Sequence, residues 1–320
     1  MMLGAVLGVA VVAATAVAYL EMRVPPADPE LVAADQKAWE LMKRDDQESL
    51  RGAIASWEDL SQKAPEYVPA KADLMVAHTL VTMDLRDETR RLLARYQQLG
   101  KDLAKLEEKK EADDWRAQGT AIREEMAKIK AVYDPLQEEA TGHDERSGEL
   151  LKESKALVEK LGVGGDSAAV FRASAIYYAS KGQEATEKLA DFYRKSIDER
   201  GVLHDDSRAF ADLAVAARYA QPRITPDDRD KGKAAAEAAL QKDPGLLRAH
   251  LLLAKLFFAN KENALASAEL DKLLKLNPAH TAAASLKAEI AQAEDEAKKA
   301  AEKAAEKAAE EKASENVAGQ

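Results

Sequence analysis

The chain has 320 residues, room for two domains or one elongated array, and its 46% hydrophobic and 5% aromatic content, rich in Ala, Leu, Glu and Lys, favours helix nearly throughout. With 47 Lys and Arg against 57 Asp and Glu, the net charge of -10 repels a phosphate backbone, and no basic cluster offsets it, which argues against nucleic-acid binding. The absence of cysteine excludes disulfides, thiolate catalysis, zinc-cysteine sites and lipoprotein acylation, and leaves the compartment open.

Residues 3–20, LGAVLGVAVVAATAVAYL, carry no charge and as a helix would reach about 27 Å, close to a bilayer core. Residues 1–22 are therefore expected to be a membrane anchor or, given Ala16-Val17-Ala18, a cleaved signal. Charge counting gives little on orientation. The expectation is a single-pass, membrane-anchored protein with a periplasmic body, a cytoplasmic body being the alternative. Residues 23–30, with Pro25, Pro26 and Pro29, form a stiff spacer.

Over 31–89 the helical pattern begins, with Ala38, Leu41 and Met42 on one face, a polar break, then Leu50, Ala53, Ile54, Trp57 and Leu60 closed by Pro65. A further helix at 70–83 turns Leu74, Met75, His78 and Val81 inward. His78 has no second ligand one turn away and is read as a core or edge histidine.

Residues 90–161 depart from this pattern. Leu92, Tyr96, Leu99, Leu103 and Leu106 recur at steps of four and three, as do Ile122, Met126, Ile129, Tyr133 and Leu136, predicting a coiled-coil helical hairpin with its tip at 110–119. Pro135 predicts a kink or a fresh helix start. Such a hairpin is a stiff projection, a contact surface or a dimerisation arm. Gly162-Val163-Gly164-Gly165 then reads as a linker, because it follows a helix and lacks the Lys-Ser/Thr of a phosphate loop.

Over 166–291 helix pairs return. Phe171, Ala175 and Tyr178 face Leu189, Phe192 and Tyr193, and a further pair follows from Phe210 to Pro244. His204-Asp205-Asp206 is the only compact cluster with ligand-like or general-base chemistry, and its place before a helix favours capping. Pro244 and Pro278 stand 34 residues apart, the period of a helix-turn-helix repeat. Between them Leu253, Ala254 and Phe257 share one face, and Ala266, Leu270, Leu273 and Leu274 another. Residues 282–290 form a capping helix, and 292–320 are an Ala/Glu/Lys tail, either solvated helix or disordered.

The unit 248–278 resembles a tetratricopeptide repeat (TPR) in its large residue, the small one at the helix crossing, the aromatic one turn on, the small residue opening the second helix and the closing proline. His250 stands where that family more often has a bulky aromatic. The resemblance implies an all-α, TPR-like solenoid of antiparallel helix pairs, here with a long helical hairpin insertion. It also implies an interaction scaffold with no chemistry of its own. Partner segments of such proteins lie in a concave groove lined by the first helix of each repeat. Mapped from Phe171, Phe210 and His250, that face carries Arg172, Arg208, Arg218, Arg248 and Lys255. These either receive an acidic segment or carboxylate terminus, or are ordinary solvated charges paired along helices. The functional expectation is thus a membrane-tethered adaptor of a bacterial envelope assembly that binds another polypeptide, without cofactor, metal or enzymatic activity. The alternative is a structural spacer that self-associates through residues 90–160.

Overall fold

The computed structural model describes residues 28–109, 114–162, 167–198, 205–222 and 224–318. Among them are eleven helices and no strand. They are α1 (Pro29–Lys43), α2 (Gln47–Lys63), α3 (Val68–Lys109), α4 (Trp115–Leu161), α5 (Ser167–Ser180), α6 (Ala185–Asp198), α7 (Asp205–Tyr219), α8 (Pro226–Lys242), α9 (Leu247–Ala259), α10 (Asn263–Leu276) and α11 (Thr281–Ala318).

The ends of these helices follow from local chemistry. Asp28 caps α1 by accepting from the Glu30 N–H at 2.9 Å, with Pro29 in the first turn where no N–H is missed. Asp46 caps α2 by accepting from the Ser49 N–H at 2.9 Å. Proline disfavours helical angles in the residue before it. Asp243 before Pro244 and Asn277 before Pro278 accordingly stop α8 and α10 with nearly the same angles, φ -137°, ψ 92° and φ -136°, ψ 92°. The 34-residue proline period is thus a repeated stop signal. Gly162 ends α4 in the left-handed region at φ 62°.

Each odd-numbered helix from α1 to α9 pairs with the next, and each pair stacks on the one after it. Helices α3, α5, α7 and α9 contact one another in a row along one side. Helix α1 leaves that row, packing on α2 and only lightly on α3. One apolar cluster runs from Ala38 on α1 to Leu253 on α9, including Trp57, Leu74, Ile176 and Leu213. A second joins Leu251 and Ala254 of α9 to Leu270 and Leu273 of α10 and to Leu286 and Ile290 of α11. Helix α9 therefore buries apolar side chains on opposite faces, which its nearly continuous LLLAKLFF run requires.

Several expectations are corrected. The single-pass, membrane-anchored placement with a periplasmic body is not upheld: no helix among the described residues is long and apolar enough to cross a membrane. The stretch 3–20 and residues 23–27 of the expected spacer 23–30 lie outside the described residues, and the rest of that spacer is the start of α1, with Asp28 as its cap and Pro29 and Glu30 in its first turn. Pro135 starts no new helix, since α4 runs through it without a break. Its side chain is exposed, so the backbone carbonyl it leaves without a donor is on the watered side of the helix. Cap and tail form one helix, α11, whose Ala283, Leu286 and Ile290 cover α10. The long helices α3 and α4 pack against each other along the projecting hairpin, and Arg95 on α3 reaches Glu125 on α4 at 2.8 Å.

Candidate functional site

The candidate site is the side of the stack shared by α3, α5, α7 and α9. Trp39 of α1 is inserted there. Its indole N–H donates to Asp73 on α3 at 2.8 Å, its ring meets Phe210 on α7 edge-on at 4.9 Å, and the Arg172 guanidinium on α5 lies 4.5 Å from the ring centre. One aromatic side chain thus touches three successive repeats. Arg172 also pairs with Asp73, and its Nε has no hydrogen-bond partner among the described residues. Burial pushes the Asp73 carboxyl up to about 7 against the pull of Arg172. Burial likewise raises Asp35 of α1, although it accepts from the Trp57 indole at 2.7 Å.

A second cluster lies further along the same side. Arg248 of α9 is 2% exposed and grips two carboxylates: Asp84 of α3 by a fork of 2.5 and 2.8 Å, and Asp45 of the α1–α2 turn at 2.8 Å. Burial opposes its charge, but Asp45 and Asp84 more than compensate and raise its pKa. Asp45 has φ 55°, a left-handed conformation that an acidic residue adopts at modest cost. Its other oxygen accepts from His280 Nε2 at 3.2 Å. The Ala283 N–H donates to His280 Nδ1 at 3.2 Å, so the ring proton belongs on Nε2. Asn277 donates to the Arg44 carbonyl at 2.7 Å and to Asp46 at 2.9 Å. Burial raises the Asp46 carboxyl, and the hydrogen bonds from Ser49 and Asn277 outweigh that and lower it. The turn of the first repeat is thereby clasped to the end of the last.

Residues 226–290, from α8 into α11, match a family model described as tetratricopeptide repeat. The stack is a TPR-like solenoid. No curated protein and no solved structure matches the chain.

The solenoid does not bring the five sequence-selected cations to one open surface. Arg172 and Arg248 are buried on carboxylates of the same chain. Lys255 of α9 pairs with Asp87 of α3, and Arg218 of α7 with Glu187 of α6 at 2.6 Å. Burial raises the Asp87 carboxyl, but Lys255 and Arg90 hold it below the usual range. Arg208, near the start of α7, is exposed. At Arg248 the carboxylates are the chain's own, Asp84 of α3 and Asp45 of the α1–α2 turn.

Among the histidines, His78 on α3 is not isolated. His143 on α4 approaches it with Nδ1 atoms 2.6 Å apart, so one ring donates and the other accepts. Among the described residues no group of three or more His, Cys, Asp or Glu could hold a metal ion. His204 lies outside them, and Asp205 begins α7. Sequence reasoning missed Trp39, Asp45 and Asp84. A weak signal for Asp45 was present: two consecutive aspartates at a helix break where one suffices as a cap.

On the hairpin, Leu92, Leu93 and Tyr96 of α3 and Ile129, Lys130, Tyr133 and Asp134 of α4 line a recess of about 200 Å³. Leu93 and the neighbouring Val132 are exposed.

Proposed function

We propose that the chain is a protein-protein interaction scaffold that receives a segment of another polypeptide on the inner side of its repeats, with no catalytic step of its own. The repeat match over 226–290, coinciding with regular helix pairs, carries this reading. Such a stack presents a long surface of side chains on rigid helices, suited to recognition by shape and charge. Affinity capture with the full chain, followed by titration of each captured polypeptide, made recombinantly, into the purified chain tests it. Stoichiometric direct binding is expected. Absence of direct binding by any captured polypeptide, together with turnover of a small molecule by the purified chain, would replace the scaffold with an enzyme.

The exposed apolar residues around the hairpin recess favour one second reading, self-association through α3 and α4. Val132→Asp together with Leu93→Asp should then convert a dimer to a monomer in sedimentation equilibrium. A wild-type chain that sediments as a monomer removes this reading.

A further inference from the structure

The side of the solenoid shared by α3, α5, α7 and α9 already receives side chains from the first helix and its turn. Helix α1 departs from the row of first helices, yet its Trp39 touches α3, α5 and α7 at once, and the following turn reaches α9 and the start of α11 through Asp45. A terminal repeat needs to contact only its neighbour to be stable. Contacts from the first repeat to the third, fourth and fifth, and to the start of α11, exceed that requirement. They have the form of a bound segment: an aromatic anchor in a pocket, and a carboxylate held by a guanidinium.

Arg172 Nε, buried beneath Trp39, makes no hydrogen bond among the described residues, and neither does the hydroxyl of Tyr193 on α6, whose ring lies 5.8 Å from the same guanidinium. A segment bringing an acceptor to that point would satisfy a donor that α1 leaves open. The clasp at the other end is also divisible. Arg248 keeps Asp84 as a bidentate partner when Asp45 leaves, so release of the first repeat does not strand a buried cation.

We propose that α1 with its turn is an intramolecular occupant of the groove formed by α3, α5, α7 and α9. The groove's external partner is a helical segment carrying an aromatic side chain and, about two turns later, a carboxylate, which displaces α1 by taking the places of Trp39 and Asp45. This rests on the scaffold reading and adds to it the chemistry of the partner and a competition step. Affinity for the partner is lowered by the fraction of molecules in which α1 is seated.

Asp45→Asn in the full chain is the decisive variant. Asn keeps the left-handed conformation while losing the charge that holds Arg248 and accepts from His280. Trp39→Ala is a second opener acting at the other end. In hydrogen exchange, residues 29–43 should exchange at least about tenfold faster in either variant, with α3 to α10 unchanged. The probe is a labelled synthetic peptide of residues 29–46 of this chain. It should bind Asp45→Asn at least about tenfold more tightly than wild type, and the same peptide with Trp39→Ala should lose that binding. Exchange that rises equally over the whole chain in both variants would show α1 to be an ordinary structural repeat and overturn the proposal. So would α1 exchange that changes in neither variant, or a peptide bound equally, or not at all, by wild type and variants. The scaffold reading can fail separately, when α1 opens and takes up the peptide but no captured polypeptide binds directly.

Discussion

Gly232 sits in α8 where the helix comes closest to its neighbours. A Cβ there would lie 2.7 Å from the Tyr219 Cβ and 3.1 Å from a Leu256 methyl. The nearest atom belongs to the root of a side chain and cannot swing away. Gly232→Ala should therefore destabilise by about 1–3 kcal/mol, although alanine is the better helix former. Gly142 in α4 has open space around it, so Gly142→Ala should stabilise by about 0.5–1 kcal/mol. Opposite shifts of the urea midpoint in the two variants would check both. His78 offers a test by pH. Burial first, then the charges of His143 and Arg146, lower its pKa to about 3, and Glu139, Arg51 and Glu58 act on its partner His143. The unfolded chain takes up this proton below about 6.5 while the folded chain resists until about 3, so stability falls with falling pH across that window by about 1 kcal/mol per unit. Asp73, raised from 3.8 to about 7, runs the other way, its contribution being lost as pH rises through that range. The difference between wild type and His78→Leu isolates the histidine. Urea midpoints at pH 6.5 and 4.5 should show a smaller acid loss in the variant. Neither residue-scale feature was legible in the sequence. Gly232 is one of several helical glycines, and His143 lies 65 residues from His78, on the facing helix of the hairpin.

At the scale of elements much more could be read. The prolines, the aspartate caps and the apolar spacing place α1, α2, α9 and α10 because each signal acts within a few residues of itself. Ala254 is fully buried between Leu251, Ala266 and Leu270, in the position that the spacing assigns to a helix crossing. Ala254→Trp should cost on the order of 1–3 kcal/mol by overpacking that crossing, read as a drop in thermal midpoint with the mean helicity retained. Pro135 shows where local reasoning stops. Its cost to a helix is real, but a long helix packed along a partner can absorb one missing hydrogen bond where water replaces it. The five cations show the same limit. Their places on the first helices follow from the period, whereas the carboxylates that occupy Arg172, Arg248 and Lys255 come from elements 99, 164 and 168 residues away.

For the molecule as a whole, the clasp between Asp45, Asp84, Arg248 and His280 changes the thermodynamic class of the stack. An open array of repeats sums neighbour terms and melts in stages. Here the first and last repeats share ion pairs, so loosening one end gives up the Asp45 contacts to Arg248 and His280 at the other, although Arg248 keeps Asp84. Arg248→Met should cost about 3–5 kcal/mol, because both aspartates then remain buried without their cation. It should also split a single urea transition into two, seen when α2 and α10 are followed separately. One unchanged transition would show that the apolar clusters alone hold the repeats together.

That clasp also sets an order of events during synthesis. Asp45 leaves the ribosome 203 residues before Arg248 and 235 before His280. At about 5–20 residues per second, the first helix waits roughly 10–40 s for Arg248. Through that interval the groove is incomplete, and Trp39 and Asp45 wait for the residues on α5, α7 and α9 that seat them.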